Sequence, residues 1–227
     1  MAEARRRTGM RAETREKRVR ILDAALRTFG AKGYTNASLA DIAEQVDMTH
    51  AGVLHHFGSK HALLLEVLQH RDTDDVVDLP DQHMPDGIEL FRHLVRTAFV
   101  NARRAGIVQA YAVLSAESVT EGNPGRPYFT GRFRTLRDET VRAFTTMCAE
   151  QGTAVPEDVE LAAAAILAVM DGLQVQWLLD PDRIDLGRAS ARAIEAIVAS
   201  VLGPRTDVLG PWESWAPDLL ELVAELR

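Results

Sequence analysis

Apolar residues recur at helical spacing along most of the chain. The first such set is separated by intervals of three, four and three residues and consists of Val19, Leu22, Leu26 and Phe29. This spacing predicts one face of an amphipathic helix. Gly30 and Gly33 then predict the end of that helix. Since no alternating pattern typical of β-strands extends for any length, the chain is predicted to be all-α.

Two short helices and a longer one are predicted next. Ser38 is the expected N-cap of the second helix, and Asp41, three residues later, resembles the partner in a capping box. After a tight connection at residues 47–49, a third helix is predicted over about 50–57. Gly58 ends it and Ser59 caps the fourth helix. The apolar face of that fourth helix consists of Leu63, Leu64, Val67 and Leu68.

A polar stretch rich in Asp and Pro, residues 72–86, predicts the boundary of a small N-terminal unit. Further helical patterns follow at residues 87–105, 107–121, 126–150, 156–179 and 188–202. A last short helix is predicted after Pro217. Its approach includes a Trp-containing segment, 211–215, that covers a pocket, covers a dimer edge or does neither.

Charge is distributed unevenly along the chain. The formal net charge is −7, but residues 1–20 hold eight basic and three acidic groups, so the remaining residues sum to −12. Residues 1–14 are predicted to form a basic, flexible arm. Such an arm suits contact with DNA phosphates, although a solvated tail explains the charge alone equally well.

Two short helices joined by a tight turn, after a longer helix, are typical of a helix-turn-helix. The second short helix would enter the major groove of DNA. On it, Thr49, His50 and His55 are polar enough to reach bases or phosphates. Val53 and Phe57 are expected to pack inward.

At this point the chain resembles a known family. The stretch SLADIAEQVDMTHAGVLHHFGSKHALLL, residues 38–65, and the preceding ILDAALRTFGAKGY, residues 21–34, resemble the TetR family of bacterial transcriptional regulators. Several fixed offsets match together over roughly residues 15–68. The resemblance implies a DNA-binding domain over 15–62 and a helical ligand-binding and dimerisation domain over 63–227, joined by the fourth helix.

The resemblance also implies which residues contact DNA. They are Ser38, Thr49, His50, Gly52, Leu54, His55 and Lys60. Ser38 and Lys60 match positions that hold phosphates at the starts of helices, where free N–H groups favour anions. The others lie on or next to the third helix and match positions near bases or the DNA backbone. Leu54 departs from the pattern, since many members have tyrosine there; a leucine suits a thymine methyl group.

The C-terminal part is expected to supply a dimer and a ligand pocket. The resemblance places the dimer interface on helices 156–179 and 188–202, although their small apolar residues also suit a monomer core. Candidate ligand-binding residues combine aromatic and polar side chains: Phe99, Tyr111, Glu117, Phe133, Met170, Asp171, Gln174 and Trp177. Plain core packing is the alternative for each. Asp171 and Gln174 interrupt an apolar helix and need polar partners if buried.

Other classes find little support in the sequence. The single cysteine, Cys148, forms no intramolecular disulfide. The histidines of the third helix lack metal-ligand spacing, and no nucleotide or hydrolase motif occurs. Neither a membrane span nor an export signal is expected, so the protein is expected to be cytoplasmic and to need no cofactor.

The predicted function is therefore a homodimeric repressor that a small molecule releases from a palindromic operator. The direction of control stays open, because the same protein could instead activate transcription. A DNA-binding or architectural protein without a ligand remains the main alternative, and an all-helical enzyme is the weaker one.

Overall fold

The computed structural model describes the backbone of residues 2–76 and 84–203 and the side chains of 13–70 and 84–203. Within these residues the chain forms nine helices and no strand, which confirms the predicted all-α class. The helices are α1 Ala2–Asn36, α2 Leu39–Gln45, α3 His50–Phe57, α4 Lys60–Val76, α5 Ile88–Asn101, α6 Ala105–Glu117, α7 Arg126–Gln151, α8 Val159–Leu179 and α9 Leu186–Leu202. The predicted helix after Pro217 and the Trp-containing segment lie outside the described residues.

Side-chain caps fix the starts of α2, α3 and α4. Ser38 Oγ accepts from the Asp41 N–H and Asp41 Oδ2 accepts from the Ser38 N–H, both over 3.1 Å, which confirms the predicted capping box. Thr49 Oγ1 accepts from the N–H of Gly52 over 3.1 Å. Ser59 Oγ accepts from the N–H of Ala62 over 3.0 Å, as predicted.

One hydrophobic cluster joins the N-terminal helices to the body. It buries Ile21 and Phe29 of α1 and Val53 of α3 together with Tyr111 of α6 and Phe129 of α7. The ring centroids of Tyr111 and Phe129 lie 5.4 Å apart. The apolar core therefore continues from the helix-turn-helix into the larger part of the chain.

The remainder of the body packs around a second cluster. Phe91 of α5 and Phe144 of α7 lie at its centre, with ring centroids 4.7 Å apart. Ile166 of α8 and Ile194 of α9 close it from the other side. Helix α8 has the length and hydropathy of a membrane span, with 33% of its apolar window buried. It packs against α6, α7 and α9.

Several helix boundaries differ from the predictions. Helix α1 begins at Ala2, within the arm predicted to be flexible, and α5 and α6 end at Asn101 and Glu117, four residues earlier than predicted. Helix α1 bends at Gly33, where φ is 72° and ψ is 171°, and helical backbone continues to Asn36. Helix α4 extends to Val76, into the polar stretch, because aspartates lower helix propensity without forbidding a helix. Helix α8 begins at Val159, since the preceding residues form a turn in which the Val159 N–H donates to the Pro156 carbonyl.

Candidate DNA interface and ligand cavity

Helix α3, termed the reading helix, has one buried and one exposed face. Val53 and Phe57 are buried in the first cluster, as predicted from their spacing. The N-cap Thr49, His50 and His55 are exposed. Polar groups capable of contacting bases are therefore exposed, on a helix whose other face packs against the apolar core.

Two glycines shape the ends of the reading helix. At Gly52, a Cβ would lie 3.1 Å from Met48 Cε and 3.4 Å from Thr49 Oγ1, so the missing side chain keeps this turn open. Gly58 ends the helix with φ 75°, a value that favours glycine. Its N–H donates to the Leu54 carbonyl over 2.7 Å, and the Leu54 side chain is half-buried against the first cluster.

Lys60 is placed differently from the exposed residues of the reading helix. Its Nζ donates to the Thr35 carbonyl over 3.3 Å and lies 4.5 Å from the centre of the Tyr34 ring. Burial lowers the pKa of Lys60, and the charge of Glu117 opposes this shift. The ammonium group is thus anchored at the bend of α1, a few residues before the Ser38 cap.

Arg18 is a residue of this unit that the sequence patterns did not single out. Its guanidinium donates to the carbonyl of His56 and to the carboxylate of Glu66. The same group lies 4.3 Å from the centre of the Phe57 ring. One side chain of α1 therefore holds the C-terminal turn of the reading helix and the middle of α4.

A cavity of about 260 Å³ lies between α6 and α8. Three of the predicted ligand-binding residues, Tyr111, Asp171 and Gln174, line it. Ser115 of α6 and Val119, two residues beyond its end, also line it. Its lining is mainly apolar with a few polar groups, the composition expected of a small-molecule site.

The other predicted ligand-binding residues lie elsewhere in the body. Phe99 is partly exposed and packs on Gly187 of α9. Phe133 packs against the first cluster, Met170 belongs to the second and Trp177 to a third. Glu117 contacts the N-terminal helices: it accepts a hydrogen bond from the main chain of Tyr34. These positions reflect tertiary packing, which helical spacing does not determine.

Helix α8 carries an exposed apolar stripe. Its members recur every one or two turns on one face and are Leu161, Ala168, Gly172, Val175 and Leu179. Gly172 and Val175 also line the cavity between α6 and α8. Leu161 is 69% and Leu179 is 81% exposed. Large apolar side chains this exposed are typical of a surface that another protein covers.

Two models of known protein families match this chain. A family model for bacterial regulatory proteins of the tetR family matches residues 21–67. A second model, for the C-terminal region of BetI-type transcriptional repressors, matches residues 89–203, about half of the chain. The chain belongs to the TetR family. The helix-turn-helix of this TetR-family regulator is α2 and α3, which lie within the first match.

Relatives of this TetR-family protein are transcriptional regulators. The chain is 30% identical to the HTH-type transcriptional regulator TtgR of Pseudomonas putida over 193 residues, which cover 77% of this chain and 86% of TtgR. It is 30% identical to the regulator BetI of Agrobacterium fabrum over 183 residues, 78% and 84% of the two chains. The fold resembles that of SmeT in its triclosan complex, with a TM-score of 0.66, 20% identity and coverage of 84% and 96%.

Proposed function

We propose that this chain is a homodimeric repressor that binds a palindromic DNA operator and is released by a small molecule. The observation that carries the proposal is the reading helix, whose exposed Thr49, His50 and His55 lie on a helix-turn-helix of the TetR family. The expected location of such a regulator is the cytoplasm. The relatives are regulators rather than enzymes.

In this proposal the reading helix lies in the major groove and its neighbours hold phosphates. Thr49, His50 and Gly52 approach base edges, while His55 contacts the DNA backbone. Ser38 offers the N-terminus of α2 to a phosphate, where unpaired N–H groups favour an anion. Leu54 contributes only its exposed part, and Lys60 retains donors beyond the one that it shares with Thr35.

The proposed dimer forms through the apolar stripe of α8 together with the small residues of α9. On α9, Ala196 is exposed and Ala189 and Ala193 are half-exposed. Small side chains let helices from two copies approach closely, and burial of Leu161 and Leu179 removes apolar surface from water. A palindromic operator then follows from the two-fold symmetry of the dimer.

The proposed effector site is the cavity between α6 and α8. Its volume and mainly apolar lining suit a small, largely apolar molecule, and Asp171 and Gln174 supply polar contacts at one side. SmeT, whose fold is similar, has been solved with triclosan. A ligand releases DNA only if it binds the DNA-free conformation more tightly than the DNA-bound one.

Capture of genomic DNA tests the proposal. The full-length protein is incubated with fragmented DNA from its source organism near physiological salt, and the retained fragments are sequenced. A shared palindrome is expected for the wild type and for Arg103→Ala, which removes one exposed positive charge from the body. His50→Ala/His55→Ala is expected to lose that enrichment. If no sequence is enriched, or if the double variant enriches the same palindrome equally, the proposal is wrong.

A further inference from the structure

Helix α6 lies between α1, which contacts the reading helix, and the cavity. One face lies on α1: Gln109 Nε2 donates to the Gly30 carbonyl over 3.2 Å, and a Cβ at Gly30 would lie 3.0 Å from the Cβ of Ala110. Another face lines the cavity through Ser115 and Ala116. Among the described residues, α1 packs more extensively on α6 than on any other helix.

Glu117, the last residue of α6, contacts the bend of α1. Its Oε2 accepts a hydrogen bond from the main-chain N–H of Tyr34 over 2.5 Å. Gly33, immediately before, has φ 72°, and a Cβ there would lie 2.8 Å from Glu117 Cδ. The carboxylate reaches the main chain because residue 33 has no side chain.

The same bend is held from a third element. Lys60, the first residue of α4, donates to the Thr35 carbonyl and lies over the Tyr34 ring. The end of α6, the bend of α1 and the start of α4 therefore meet within three consecutive residues, 33–35. Ser38, which caps α2, follows only three residues later, so a displacement of this bend displaces the helix-turn-helix.

We propose that Glu117 is a positioning residue for DNA binding: its carboxylate fixes the bend of α1 and thereby the orientation of the reading helix on the body. This inference rests on the proposed function, because orientation is measured through operator affinity. A hydrogen bond to a carboxylate is stronger than one between neutral groups. It therefore suits a single contact that fixes an orientation.

The position of Glu117 also ties this contact to the cavity. Ala116 and Val119, on either side of Glu117 in sequence, line the cavity. A molecule that pushes these residues outward moves the end of α6 relative to α1. A displacement of about 1 Å takes the 2.5 Å contact with Tyr34 to the limit of hydrogen bonding. A molecule bound in the cavity thereby weakens the hydrogen bond by which Glu117 fixes the bend of α1.

Amide hydrogen exchange of the full-length protein, without DNA, tests the contact itself. Glu117→Ala is expected to speed exchange of the Tyr34 amide about tenfold, because its acceptor is lost. Glu117→Gln is expected to keep most of the protection, since its carbonyl still accepts. Glu121→Ala removes the same charge from an exposed residue just beyond α6 and is expected to change nothing. Unchanged Tyr34 exchange in Glu117→Ala overturns the proposal.

Operator affinity tests the consequence. Glu117→Ala and Gly33→Ala are each expected to weaken operator binding about tenfold, with random-sequence duplex affinity within about twofold, because that affinity depends on phosphate contacts. The double variant is expected to bind much more tightly than additivity predicts, because both changes remove one contact. Alanine at residue 33 also strains the backbone, but this strain is the same with and without Glu117. It therefore cancels when the affinities of the wild type, the two single variants and the double variant are compared.

Two outcomes overturn the positioning role: additive losses in the double variant, or an equal loss on random-sequence DNA. If Glu117→Ala does not fold, Glu117→Leu, which keeps a side chain of similar size but has no acceptor, completes the same cycle with Gly33→Ala. The exchange measurement needs no DNA. If the chain has no operator, the Tyr34 amide still reports whether Glu117 holds the bend, so the two proposals fail separately.

Discussion

At the scale of single residues, the histidines of the reading helix differ in environment. His50 and His55 are exposed, whereas His56 is half-buried beside Phe57, with ring centroids 6.4 Å apart. Burial lowers the pKa of His56, and the charges of His55, Arg18 and Lys17 add to the effect. His56 is therefore suited to support the helix as a neutral side chain, and the exposed pair is suited to contact DNA.

This pKa shift predicts a pH dependence of stability. The unfolded chain takes up a proton at the ordinary histidine pKa, whereas folded His56 does so only at lower pH. The unfolded state then binds more protons, so the free energy of unfolding falls as the pH drops below about 6.5. Chemical denaturation between about pH 8 and pH 5 is expected to show a shallower decline for His56→Gln than for the wild type. Parallel curves would contradict this assignment.

At the scale of helices, Arg18 links three elements that are distant in sequence. It contacts the carbonyl of His56, the ring of Phe57 and the carboxylate of Glu66. These contacts attach the C-terminal turn of the reading helix to α1 and α4. The orientation of the reading helix thus depends on an arginine that the exposed surface of α3 does not reveal.

Replacement of Arg18 tests this role. Arg18→Met keeps the apolar stem but loses the polar contacts, and is expected to lower the free energy of unfolding by about 1 kcal/mol, since the ion pair is partly exposed. Lys17→Met removes the same charge from an exposed pair with Glu13 and is expected to cost less than about 0.5 kcal/mol. Urea denaturation measures both. Equal losses would show that Arg18 contributes only its charge.

Capping residues and helical spacing predicted the helices well. They did not predict which side chains tertiary packing buries. The cap at Ser38 and the inward face of Val53 and Phe57 follow from neighbours within four residues, so the sequence reveals them. Val19 was predicted on the apolar face of α1 but is 39% exposed, because packing against the other helices buries Ile21 instead.

The candidate site shows the same limit. Glu117 was grouped with the ligand-binding candidates because it lies near aromatic residues in sequence, yet its hydrogen-bond partner, Tyr34, is 83 positions away. Arg18 likewise meets His56 and Glu66 across 38 and 48 positions. Spacing along one helix carries no information on contacts of this range. The DNA-contacting and ligand-contacting residues therefore stay predictions.

At the scale of the whole molecule, the exposed stripe of α8 is the surface through which we propose that the chain dimerises. Leu161 and Leu179 are largely exposed, whereas other apolar residues of α8, such as Ile166, are buried in the body. None of the residues of the stripe belongs to the two hydrophobic clusters. The proposed partner is a second copy of the chain, because a two-fold dimer matches the symmetry of the proposed palindromic operator.

A charge at the centre of this stripe is expected to separate the dimer. Ala168 is exposed on α8, and Ala168→Glu places a carboxylate where two copies would meet. Sedimentation is expected to show a dimer for the wild type and a monomer for Ala168→Glu, with operator affinity reduced at least about a hundredfold. Ala149→Glu, an exposed alanine near the end of α7, is the matched control and is expected to remain dimeric. A dimeric Ala168→Glu variant would place the interface elsewhere.

Methylation interference on the enriched operator tests whether a dimer reads DNA through two copies of the reading helix. Methyl groups at guanine N7 block the major groove. A dimer bound in this way is expected to give two interfering clusters related by a dyad and separated by about one helical turn, 34–36 Å, or a small multiple of it. His50→Ala/His55→Ala is expected to weaken both clusters equally. A single cluster, or interference confined to adenine N3 in the minor groove, would show that the protein does not read the major groove as a dimer.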